Sequence, residues 1–102
     1  MPIGSFLNAF PPAFFIVVHL AAFTIGAVFA SRAFSAQASL LGWGFVLFAI
    51  AEVVYMTYHL DWTVFLFAHT IAEVLDLVAF ILVFVAAVQP ALARARTRPA
   101  HA

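Results

Sequence analysis

Three long apolar runs, separated by short polar stretches, organise the chain. They cover about residues 13–33, 40–60 and 62–88, and each matches the roughly 20 apolar residues needed to cross a bilayer core of about 30 Å. Pro11 and Pro12 precede the first run, where the missing N–H groups of a helix start are no loss. Ser31 to Gln37 forms a polar turn after it. Only His59-Leu60-Asp61-Trp62 separates the second run from the third, which forces an antiparallel hairpin. Gln89-Pro90 is expected to stop the third helix, leaving residues 91–102 as a basic tail. The pattern predicts an all-α integral membrane three-helix bundle, up-down-up, with residues 1–90 as one transmembrane domain.

Composition agrees and narrows the function classes. The chain is 68% hydrophobic and 8% charged, against about 25% charged residues in soluble domains. A chain of this size could not hide so much apolar surface in water. Four arginines, no lysine and zero net charge supply no field for nucleic acid. The chain has no cysteine, which removes disulfides, thiolate metal sites and cysteine nucleophiles.

The arginines set the expected orientation. With the N-terminus outside, Arg32 in the first turn and Arg94, Arg96 and Arg98 in the tail all face the cytoplasm, as the positive-inside rule requires. A prokaryotic-type inner or plasma membrane is the expected location. Residues 1–10 carry no basic side chain, so the first run does not read as a cleaved signal peptide. Trp43, Trp62, Tyr55 and Tyr58 fall near the two interfaces, where aromatic anchors belong.

Candidate chemistry is confined to a few polar positions inside these runs. At about 1.5 Å per residue, His19, Glu52 and His69 lie at one depth, roughly 10–12 Å from the outer boundary. His69, Glu73 and Asp76 share one helical stripe (i, i+4, i+7), and Glu52, Tyr55 and His59 share another (i, i+3, i+7). His19, Ala22, Gly26 and Ala30 give the first helix a small-residue face that permits close approach. The economical arrangement turns all three stripes toward a common axis. No arginine lies at the depth of Glu52, Glu73 and Asp76. Their carboxyl groups must be protonated, neutralised by histidinium, bound to a cation or paired with another subunit.

Several readings follow. His-carboxyl pairs can act as glue between helices in a structural or accessory subunit of a membrane complex, such as one handling electrons or protons. His19, Glu52, His69 and Glu73 form a candidate metal site of two imidazoles and two carboxylates, suited to zinc, iron, copper or manganese. His19 and His69 are candidate axial ligands of haem b or a chlorophyll-type pigment, although nearby acids would repel propionates. Glu52, Tyr55, His59, Glu73 and Asp76 form a ladder from mid-membrane to the outer surface, as in a proton half-channel or quinol site. The ladder ends inward, because Leu77 to Val88 is wholly apolar. No nucleophile-base constellation supports an autonomous enzyme. Three helices enclose little space, so a homo-oligomer or a larger complex in the lipid bilayer is the expected setting.

Overall fold

The computed structural model describes residues 3–97. A short 3₁₀ helix, Ser5–Ala9, precedes α1 (Pro12–Ser35), α2 (Ser39–His59) and α3 (Phe65–Thr97). All three helices are long and apolar enough to cross a membrane, and they pack up-down-up. Large apolar side chains such as Val17, Ile25, Phe67, Leu77 and Phe84 point outward. In a bilayer that surface is solvated by lipid tails, so burying it is not what holds the helices together. This is a small three-span membrane protein.

Small side chains make the helix seams. The buried apolar residues among those described are all alanines: Ala30 and Ala33 on α1, Ala49 and Ala51 on α2, and Ala68, Ala72 and Ala79 on α3. Close packing of backbones replaces the hydrophobic effect as the source of helix association in lipid. Gly26 of α1 faces Phe48 and Ala49 of α2, and Gly44 of α2 faces Ala79 and Val83 of α3. α2 is therefore the middle helix. Among the described residues α1 packs only on α2 and α3 only on α2. The polar stripes of α1 and α3 thus meet on α2.

Both inter-helix turns close in the same way. After α1, Gln37 adopts φ 61°; its N–H bonds to the Phe34 carbonyl, and the Ala38 N–H bonds to Ala33. After α2, Asp61 adopts φ 64°; its N–H bonds to Tyr58, and the Trp62 N–H bonds to Thr57. These are Schellman caps, which satisfy the last carbonyls of each helix and usually place glycine in the left-handed position. Neither position is glycine here. Left-handed backbone costs an ordinary L-residue roughly 1–2 kcal/mol. Gln37→Gly, at an exposed turn, should therefore stabilise the fold by about 1 kcal/mol. Chemical denaturation in detergent would show this, and a loss of stability would contradict the assigned cap.

α3 differs from expectation at both ends. It begins at Phe65, because the Schellman cap uses Asp61 and Trp62 and Thr63 pairs its hydroxyl with Thr57 at 3.0 Å. It does not stop at Gln89-Pro90 but continues through Pro90 to Thr97. Proline forfeits one N–H bond and crowds the carbonyl four residues back, here Ala86. At about 1.5 Å per residue Pro90 lies roughly 38 Å from Phe65, beyond a hydrocarbon core of about 30 Å, where water can solvate that carbonyl. Arg98 and His101 lie outside the described residues.

Candidate functional site

The polar side chains gather toward the end of the molecule that holds the α2–α3 turn and the start of α1. His19 rises from the half-buried face of α1 and brings Nδ1 within 2.5 Å of Glu52 Oε2 on α2. Glu52 is the one buried charged residue among those described, at 9% exposure. One proton serves this contact. Held on the imidazole, Nδ1–H donates to a carboxylate; held on the carboxyl, O–H donates to the imidazole. A strong bond of this kind is the least costly way to keep a carboxyl group in a low-dielectric seam.

Aromatic stacking fixes the His19 ring. Tyr55 lies parallel to it at 5.1 Å and 15°, and His59 at 5.3 Å and 27°. His59 in turn stacks on Phe15 at 4.8 Å and 5°. The spacing on α2 explains this, since Glu52, Tyr55 and His59 lie on one stripe while Phe15 and His19 are one turn apart on α1. The stack extends the His19–Glu52 contact to the end of α2.

A second arm reaches α3. The Tyr55 hydroxyl donates to Glu73 Oε1 at 2.8 Å. Asp76, three residues further along, has a buried Oδ1 with no hydrogen-bond partner among the described residues. It lies within electrostatic reach of both Glu52 and Glu73. Tyr55 thus joins two helices' worth of chemistry, stacked on His19 by its ring and bonded to Glu73 by its hydroxyl.

His69 stands apart. Its ring stacks on Phe65 at 5.2 Å and is exposed on α3, the helix that does not pack against the one carrying His19. Ala68 and Ala72 are the positions of α3 turned into the seam with α2, and the next residue along a helix points about 100° away. The four expected metal ligands are therefore distributed: His19 on Glu52, Glu73 on Tyr55, and His69 outward. Among the described residues no three His, Asp or Glu side chains are grouped to hold a metal ion.

Two cavities adjoin this network. One, of about 350 Å³, opens at the start of α1 and the end of α2, and its lining includes Asn8, Phe10, Phe15, Tyr58, His59 and Asp61. The other, about 360 Å³ and almost wholly apolar, lies deeper, with Phe29, Phe45, Phe48 and Phe80 around a floor that includes Gly26 and Gly44. Phe10 and Phe15 escape a reading of the sequence that treats phenylalanines in a membrane protein as lipid-facing. The four-residue step from Phe15 to His19 is the signal that marks Phe15. In comparison with known proteins, no family model, no curated protein and no solved structure matches this chain.

Proposed function

We propose that the protein is an accessory subunit of a membrane complex that relays protons part-way across the bilayer. The observation that carries this reading is the buried His19–Glu52 contact, 2.5 Å long and joined through the stacked His59 ring to a cavity between the start of α1 and the end of α2. Intramembrane ionisable chains of this sort mark proton paths. With the N-terminus outside, the cavity is an external mouth and His59 receives the proton. A water or a rotation of the ring passes it to His19, whose imidazole exchanges it with Glu52. Tyr55, Glu73 and Asp76 form the inner branch.

The accessory role rests on what the single chain leaves open. Glu73 and His69 are exposed on α3 among mostly apolar side chains. Ionisable groups facing lipid are costly, and an adjoining subunit or second copy covering them removes the cost. Beyond Asp76 the relay has no visible continuation, because α3 is apolar from Leu77 to Val88.

Infrared difference spectroscopy across a pH titration in lipid discs tests this. A protonated-carboxyl band that responds to pH should lose intensity in Glu52→Gln and shift its titration in His19→Gln. Proteoliposomes carrying the protein alone should show no proton leak above empty vesicles. A carboxyl region indifferent to pH, or unchanged by Glu52→Gln, would remove the relay.

A further inference from the structure

We propose that the surface cavity is a binding site for an organic ammonium group. Four aromatic rings of its lining form an unbroken series. Phe10 lies 6.4 Å from Phe15 at 34°, Phe15 lies 4.8 Å from His59 at 5°, and His59 lies 4.9 Å from Tyr58 at 64°. Phe15 and His59 stack on each other, and Phe10 and Tyr58, inclined to that stack by 34° and 64°, are the rings at its two ends. Asp61 and Asn8 complete the lining with a carboxylate and an amide. Aromatic walls attract an alkylammonium ion through the negative faces of the rings, and quaternary ammonium groups are recognised in this way. The carboxylate supplies the opposite charge.

The charges present select against other ligand classes. None of the lining residues is lysine or arginine, so against a phosphate or carboxylate ligand only His59, when protonated, offsets the charge of Asp61. The four arginines occur at positions 32, 94, 96 and 98, and Arg32 lies near the far end of α1. The volume, about 350 Å³, lies at the lower edge of the roughly 300–1,000 Å³ typical of small-molecule pockets. It suits a compact headgroup better than an extended molecule.

The turn presents Asp61 in a fixed place. Its left-handed backbone is held by the cap of α2, with the Asp61 N–H on the Tyr58 carbonyl at 3.0 Å. Asn tolerates the same conformation as Asp, so Asp61→Asn removes the charge and keeps the turn. The ammonium group can belong to a free amine or to a zwitterionic lipid headgroup at the membrane surface; both present the same chemistry to the cavity.

The test titrates choline into the full-length protein in an uncharged maltoside detergent, with 3,3-dimethylbutanol as the neutral isostere. Choline should bind and the alcohol should not. Asp61→Asn and Phe10→Leu should each weaken choline binding by roughly tenfold. Added phosphatidylcholine that competes with choline identifies a lipid headgroup as the occupant, and absence of competition identifies a free amine. Equal binding of the alcohol, unchanged binding in Asp61→Asn, or no choline binding at all would overturn the proposal. The site shares His59 with the proposed relay, yet the two readings fail separately: Glu52→Gln should lower the intensity of the carboxyl band and leave choline binding intact.

Discussion

Replacing His19 by leucine should destabilise the protein by about 3 kcal/mol, because it strands a carboxyl group in the α1–α2 seam. The Glu52 side chain is 11% exposed, and among the described residues its hydrogen-bond partner is His19. Breaking a buried ion pair by removing one partner costs about 3–5 kcal/mol. Ordinary hydrogen bonds between membrane helices contribute about 0.6 kcal/mol and at most about 1.7. Glu52 can relieve part of the penalty by taking up a proton, which places the expectation at the lower edge of the first range. Adding Glu52→Leu to His19→Leu should restore most of the loss, since the double variant leaves neither member of this pair without its partner. Unfolding equilibria of both single variants and the double variant give the coupling directly. If the two single losses simply add, the contact contributes no coupling and the account of this pair fails.

Much of this architecture is legible in the chain, for reasons that differ between its parts. The three helices are visible because a bilayer demands about 20 apolar residues in succession, and the runs meet that demand. The pairing of His19 with Glu52 is also foreshadowed, because a tight hairpin and a common entry level bring residues of equal depth side by side. His69 shares that depth and the stripe of Glu73, yet its ring lies on Phe65. Depth and spacing do not reveal which edge of a stripe enters the seam; the positions of Ala68 and Ala72 do. The polar stretches between the runs place both turns, but their left-handed positions are obscure, because Gln37 and Asp61 stand there without the glycine that normally signals them. The middle place of α2 has a sequence signature after all. Gly42 meets Phe34 of α1 while Gly44 meets Val83 of α3, so α2 carries glycine toward both of its neighbours.

Those two glycines should respond very differently to the same change. A methyl group at either would lie 2.8 Å from its nearest neighbour, and distance alone predicts equal harm. The neighbours decide otherwise. At Gly42 the obstruction is the ring of Phe34, an exposed side chain near the end of α1 that can swing aside. At Gly44 it is Cγ2 of Val83, a β-branched residue whose χ1 is held within its helix. Behind it stands the backbone carbonyl of Ala79 at 3.2 Å, which moves only with α3 itself. Overpacking a close seam costs about 1–3 kcal/mol. Gly44→Ala should approach the upper part of that range, and Gly42→Ala should fall at or below its lower limit. Gly44→Leu should part α2 from α3 and with it separate Tyr55 from Glu73, now 2.8 Å apart. The chain contains no cysteine, so a cysteine pair placed across the seam at Ala51 and Ala72 reports the separation cleanly. Cross-linking should persist in Gly42→Ala, fall in Gly44→Ala and vanish in Gly44→Leu. Equal loss at the two glycines would mean that the rigidity of Val83 and Ala79 does not hold the seam, and that α3 can give way as freely as the Phe34 ring.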